Sequence, residues 1–168
     1  TSMGYNVVFI GNEDNNNNPL VIKEENGYTN TTRAFNHHEG HSNWKIDDIA
    51  SNIELWFTFM VDPDIILLHI GTNDFGHDHN TSGAIDRLER LITMLCKLKP
   101  KAHLIVTNLL EREEPTNNYI DTQFNPFVEE RVQRQNSSCS VSFLDMRSFV
   151  PLDDMPDKLH PNAIGYEK

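Results

Sequence analysis

The segment "DKLHPN", residues 157–162, sets a carboxylate, Asp157, three residues before an imidazole, His160, with a proline next. In one tight turn Asp157 can accept a hydrogen bond from one ring nitrogen of His160, which leaves the other nitrogen to take up a proton. That is a general base, and a base needs a group to deprotonate. Two further segments could work beside it. In "GTND", residues 71–74, Gly71 permits a sharp exit from an apolar run. Asn73 then presents an amide whose dipole can point at developing negative charge. The alternative for Asn73 is an Asx-type turn that satisfies nearby backbone. In "HHEGHSNW", residues 37–44, Gly40 has no side chain, so its N–H can approach a bound group closely. Trp44, at the end of that run, suits either a sugar face or a cap over the core.

The same run suggests the metalloprotease pattern H-E-x-x-H, but the spacing fails. Glu39 follows His38, and only Gly40 separates it from His41. The run also precedes its helix, so two imidazoles would not share a helical face. "HDH" at 77–79 adds histidines without a fourth ligand. A metal site on His37, His38 and His41 is therefore disfavoured, and no metal or cofactor is expected. His69 falls in an apolar run and reads as a core histidine, and His103 as structural or exposed. Asn108 and Asp145, at strand ends, read as capping residues that reach the site's edge.

These residues must be positioned by an alternation of strands and helices. "YNVVFIG" (5–11) reads as a strand, "NEDNNNNP" as a polar loop, and 20–43 as a long irregular segment. Ile46, Ile49, Ala50, Ile53, Trp56, Phe57 and Met60 recur at helical spacing, with Asp47 and Asp48 in the first turn. "DIILLHI" (64–70) is a continuous apolar run that suits a strand buried on both faces. A second helix is expected over 83–98, with Ile85, Leu88, Leu91, Ile92 and Leu95 inward, and a strand over 102–110. A polar loop over 111–123, a helix over 126–135 and a strand over 141–145 follow, and "NAIGYEK" opens a last helix. This order predicts an α/β fold on a parallel sheet, in which ligands bind beyond the carboxyl ends of the strands.

At 168 residues the chain makes one domain, 1–168. Fourteen Lys+Arg against 25 Asp+Glu give a net charge of −11 without a basic cluster, so neither nucleic acid nor an anionic membrane is an expected partner. No apolar run spans a bilayer, and no signal peptide is visible. Cys96 and Cys139 are too few for a disulfide framework. Cys96 reads as a buried thiol, and a single disulfide stays open. Sequons at Asn30, Asn80 and Asn136 point toward secretion.

"EGHSNWKIDDIA", "DIILLHIGTND" and "DKLHPNAIGY", in that order and strand context, resemble blocks II, III and V of the SGNH (GDSL-type) hydrolases. The first resembles the "HEGHSGW-x-ID-x-I" run of carbohydrate esterase family three, which includes acetyl xylan esterases. "YNVVFIGN" resembles that family's "YNVxFVGS" strand. The resemblance covers nearly the whole chain. It implies a three-layer α/β/α, flavodoxin-like sandwich, with Asp157 and His160 as acid and base of a Ser-His-Asp triad. It makes Asn73 and Gly40 oxyanion-hole donors, with Gly71, Asp74, Ser42 and Trp44 lining the site. The implied reaction is hydrolysis of acyl esters, on acetylated polysaccharides such as xylan. A lipase- or lysophospholipase-type esterase and a non-catalytic binding protein on the same scaffold are the alternatives.

The chain departs from that pattern in three places. Asn43 stands where the family has glycine, and the C-terminal helix is short. Block I, "GDS", which carries the nucleophile on the central first strand, is absent. Ser42 occupies a position that in the family supports the block II loop and does not attack. The expectation is a domain truncated at the N-terminus, and at the C-terminus as well, that lacks its central strand. By itself it would be inactive or nearly so. A missing N-terminal segment or a partner chain would supply the nucleophile.

Overall fold

The computed structural model describes residues 10, 13–14, 37–76, 81–135 and 138–166. The expected strand at 5–11, apart from Ile10, lies outside the described residues, as do the "HDH" run and the three sequon asparagines. Two short strands, β1 (Glu13–Asp14) and β2 (His37–His38), pair antiparallel, where the sequence suggests only loop. Helix α1 spans Ile46–Phe59 and buries Ile46, Ile49, Ile53 and Trp56, one stripe at helical spacing. Asp47 and Asp48 sit in its first turn, and the Asp48 carboxylate accepts from the Lys45 N–H at 2.8 Å, which caps the helix start.

Strand β3 (Ile65–Leu68), helix α2 (Ala84–Leu98), strand β4 (His103–Thr107), helices α3 (Thr116–Gln123) and α4 (Asn125–Gln133), and strand β5 (Val141–Leu144) follow. A last turn of helix, α5, covers Ala163–Tyr166. The sheet order is β3-β4-β5, all parallel, the α/β arrangement expected. Helix α3 occupies part of the segment expected to be loop. Its sequence, TNNYIDTQ, buries only Ile120, too little apolar periodicity to stand out.

The core lies between one face of this sheet and helices α1, α2 and α4. Leu68, Leu104, Val106 and Val141 from the strands meet Ile53, Leu88, Leu91, Ile92 and Val128 from the helices. Each fully buried aliphatic side chain contributes roughly 1.5–3 kcal/mol of transfer free energy. The opposite face is open, which corrects the expectation that β3 is buried on both faces. Ile65 and Leu67 are 59% and 68% exposed, and Leu144 is 40% exposed. The apolar run suits a fully covered strand, whereas helices α1, α2 and α4 pack on the other face of the sheet.

Cys96 of α2 and Cys139, just before β5, form a disulfide with an S–S distance of 1.98 Å. The buried-thiol reading of Cys96 is thereby replaced by a covalent tie between the helix layer and the sheet's outer strand.

Candidate active site

Because β3, β4 and β5 run parallel, the loops after all three leave from one rim. "GTND" follows β3, "NLLER" (108–112) follows β4, and the segment leading to "DKLH" follows β5.

The dyad is formed. Asp157 Oδ2 lies 2.7 Å from His160 Nδ1, while Asp157 Oδ1 accepts from the N–H groups of Leu159 (3.0 Å) and His160 (2.7 Å). Lys158 takes a left-handed conformation, φ 59°, which tightens the turn so that both backbone donors reach one oxygen. The hydrogen bond from the His160 ring, followed by those from the His160 and Leu159 backbone, holds the Asp157 carboxyl down to about 2. Both side chains are open to solvent, so His160 Nε2 is accessible to an incoming proton. The C-terminal turn is packed behind them. A side chain on Gly165 would come within 2.9 Å of Pro161 Cβ and 3.2 Å of Val150 Cγ1.

Blocks II and III are brought together by two hydrogen bonds. Asn73 Nδ2 donates to the Trp44 carbonyl at 3.0 Å, and the Ile46 N–H donates to Asp74 Oδ2 at 3.1 Å. Asn73 stands in a turn of 3-10 helix, Thr72–Phe75, entered through Gly71 at φ 123°. A side chain at Gly71 would meet Phe124 Cζ at 3.0 Å, so both backbone and space require glycine. One Asn73 amide hydrogen thus fixes the block II loop, and among the described residues the second has no hydrogen-bond partner. Asp74 points inward instead of lining a cleft. It is 1% exposed and pairs with Arg87 Nη2 at 2.9 Å.

In block II the Gly40 N–H donates to His38 Nδ1 at 3.0 Å, so this oxyanion candidate has an internal partner. His41 bonds Glu39 at 2.9 Å and stacks on Trp44 and Trp56, with ring centroids 4.1 and 5.0 Å away. Trp44 therefore caps the core through His41 and Trp56. Ser42 is exposed in the turn before α1, and Asn43 adopts φ 65°. That left-handed backbone explains why glycine suits position 43, and asparagine is among the few side chains that tolerate it.

Among the described residues no hydrogen bond joins the dyad to Asn73 or Gly40. The loops after β4 and β5 are tied to each other by residues that local motifs do not disclose. Arg112, in the loop after β4, lies within electrostatic reach of Asp157: burial pushes its guanidinium pKa down and Asp157 pulls it back up. Asp157 itself is governed by His160 and not by this cation. The Arg112 N–H donates to Asn117 Oδ1, to which Arg147 Nη2 also donates, at 3.2 and 3.1 Å. Arg147 further binds Asp121 at 2.8 Å, and its N–H reaches Asn108 Oδ1, whose amide holds Asp145 at 2.6 Å. The Asn125 amide clasps both the N–H and the carbonyl of Leu109, each at 2.9 Å. Long separations along the chain hide such pairs from any local pattern.

His69 lies on the open face, exposed, and not in the core as its apolar run suggests. Its Nδ1 is 2.6 Å from Thr107 Oγ1. Although the residue is exposed, its ring packs against the strand, and burial lowers its pKa while a backbone hydrogen bond with Asn108 raises it. His103 bonds Ser140 and Ser142 at 2.7 and 3.0 Å, a structural role.

Comparison with known proteins matches these features to esterases. A profile of the GDSL-like lipase/acylhydrolase family covers residues 15–168. A multidomain esterase of Ruminococcus flavefaciens is 33% identical over 112 residues, 63% of this chain and 14% of that protein. A crystal structure of an acetyl esterase, a serine-to-alanine mutant with acetate ion, superposes at TM-score 0.70 and 26% identity, over 83% of this chain and 70% of that one. The family 3 carbohydrate esterase of Clostridium thermocellum superposes at TM-score 0.65 and 30% identity, over 79% of this chain and 64% of that one. A family 3 carbohydrate esterase of Talaromyces cellulolyticus gives 0.69 and 26%, over 81% and 68%. The chain thus spans about two thirds of these structural relatives and a small part of the multidomain one. With the profile covering nearly all of it, the chain belongs to the GDSL-like lipase/acylhydrolase family.

Proposed function

We propose that this chain supplies the acid–base and oxyanion side of a serine ester hydrolase that removes acyl groups, acetyl above all, from carbohydrates of the xylan type. The observation that carries the reading is the 2.7 Å bond between Asp157 Oδ2 and His160 Nδ1, in a segment that leaves from the same rim as Asn73. The naming of two structural relatives as family 3 carbohydrate esterases, and of another as an acetyl esterase solved with acetate, supports the substrate class.

In the reaction a serine hydroxyl, supplied from outside the residues assigned here, passes its proton to His160 Nε2 as its oxygen bonds to the ester carbonyl carbon. The carbonyl π pair moves onto oxygen, and Asn73 Nδ2 donates to that oxyanion, joined by the Gly40 N–H once it leaves His38. Collapse of the tetrahedral centre breaks the bond to the sugar oxygen, which takes the proton back from the imidazolium. Water, deprotonated by the same ring, attacks the acyl-serine, releases the acid and returns a proton to serine. Asp157 holds the ring's tautomer and balances the imidazolium charge.

Binding tests this reading without a nucleophile. Titrating acetate and acetylated xylo-oligosaccharide into labelled protein is expected to shift the His160 ring and Asn73 amide resonances together, with one dissociation constant. Movement of one without the other would set them on separate surfaces and overturn the proposal. A non-catalytic binding protein is the second reading, favoured by the His38–Gly40 bond, which engages one donor. A Gly40 amide resonance that stays fixed under acetate would support it. The 168-residue chain by itself is expected to hydrolyse 4-nitrophenyl acetate barely or not at all. Robust turnover abolished by Ser42→Ala would make Ser42 the nucleophile, and turnover untouched by His160→Ala would remove the triad.

A further inference from the structure

Among the described residues three enclosed arginine nitrogens have no hydrogen-bond partner: Arg112 Nε, Arg131 Nε and Arg147 Nη1. Two of these belong to guanidinium groups already committed to carboxylates. Arg131 binds Asp86 and Glu89, and Arg147 binds Asp121 and the Asn117 amide oxygen. Arg112 differs. Its backbone N–H is engaged, by Asn117 Oδ1 at 3.2 Å, but among the described residues its guanidinium has no hydrogen-bond or ion-pair partner. The residue is half-buried and Nε is its one enclosed, unpartnered nitrogen, so the terminal nitrogens form the accessible end of the fork. Desolvating a cation without fixed acceptors is costly, and burial pushes this guanidinium's pKa down while the nearby Asp157 charge raises it. Asp157 is not its dedicated acceptor, because both carboxylate oxygens are taken by the His160 ring and by the His160 and Leu159 backbone.

We propose that Arg112 is a specificity residue at the rim of the ester site: its guanidinium receives the carboxylate of a uronic acid. The substrates would then be acylated carbohydrates that carry a uronate beside the acyl-bearing sugar. The inference rests on the proposed function and narrows its substrate class. A planar fork of parallel N–H donors matches a planar carboxylate in two-point contact. The site holds one such cation with the Asp157 anion close by, which suits a single negative charge better than a phosphate dianion. The chain as a whole carries −11, so it repels anions at long range and can favour one only through a local contact. That contact is preorganised. Asn117, which fixes the Arg112 backbone, is itself held by Arg147 at 3.1 Å and by Asp121 at 3.0 Å.

The test titrates sodium glucuronate, glucose, glucose 6-sulfate and inorganic phosphate, each separately, into the labelled 168-residue protein. The Arg112 Nε–Hε resonance is followed together with the His160 ring. Glucuronate is expected to move the Arg112 signal saturably, and neutral glucose is not. Arg112→Gln should weaken glucuronate binding by about tenfold or more, the scale of a charge-assisted contact, with circular dichroism unchanged. Arg112→Lys, which keeps the charge and loses the fork, should recover only part of it, and it serves as the second variant if Arg112→Gln fails to fold. Glucuronate binding that is as tight in Arg112→Lys as in the parent would overturn the two-point contact. An Arg112 signal unmoved by glucuronate would overturn the inference outright. Sulfate or phosphate bound as tightly as glucuronate would make this a general anion site and overturn the uronate assignment. Acetate that moves His160 and Asn73 while glucuronate leaves Arg112 still would sink this inference and spare the proposed function. Glucuronate held by Arg112 while acetate leaves Asn73 still would count against the proposed function alone.

Discussion

At the Asp157 carboxylate, three hydrogen bonds converge within one turn, and the result is an anion held down to about 2. A carboxyl whose folded pKa lies below its unfolded value contributes stability above the unfolded value of about 3.8. That contribution fades as pH falls toward about 2. A carbon-detected titration of the Asp157 side chain should therefore give a midpoint near about 2. A midpoint of about 4, the ordinary carboxylate value, would mean that the ring does not hold it in solution. The charge persists wherever an imidazole changes protonation, so under the proposed function Asp157→Asn should lower kcat of the serine-bearing enzyme on the order of 10⁴-fold by supporting the wrong tautomer. Asn43 provides a second check at this scale. Asn43→Gly relieves a left-handed side chain and is expected to leave the urea midpoint unchanged or raise it slightly. Asn43→Val should lower stability by about 1–2 kcal/mol. Both features are legible in the sequence, because an Asp three residues before a His and a residue beside a turn act over a few bonds' distance.

At the scale of elements, the join between block II and block III depends on Asp74. Its carboxylate receives the first helical N–H of α1 and the guanidinium of Arg87 from α2, and both partners of that ion pair are buried. Asp74→Ala removes the buried carboxylate partner of Arg87 and leaves it the exposed Asp47 carboxylate, 3.6 Å away, so it is expected to cost up to about 3–5 kcal/mol in urea unfolding. A cost below about 1 kcal/mol, the range of an exposed pair, would show that the site is hydrated. In sequence Asp74 is simply the neighbour of Asn73 in a site motif. The 3-10 turn rotates the two apart, one toward block II backbone and one into the core. Helices α1 and α2 are recognisable beforehand, because their apolar residues repeat along one stripe. Helix α3 is not, because it is held by Phe124, Ile120 and the Arg147–Asp121 pair, contacts supplied from elsewhere.

At the scale of the molecule, the Cys96–Cys139 bond closes a loop of 43 residues between α2 and β5. By loop-closure entropy such a cross-link is worth about 4 kcal/mol. Replacing both cysteines by alanine should lower unfolding free energy by an amount of that order, and an unchanged midpoint would show that the thiols are reduced in the folded protein. By itself the sequence determined the alternation of helix and parallel strand, the dyad and the block order. Each of these is written in short-range periodicity or in residues a few positions apart. Only the tertiary structure decided that Asp74 is buried, that Cys96 has a partner, that Arg112 comes within electrostatic reach of Asp157 and that one face of the sheet is exposed. Those outcomes depend on which distant segments meet, and an apolar strand reads the same whether or not anything arrives to cover it.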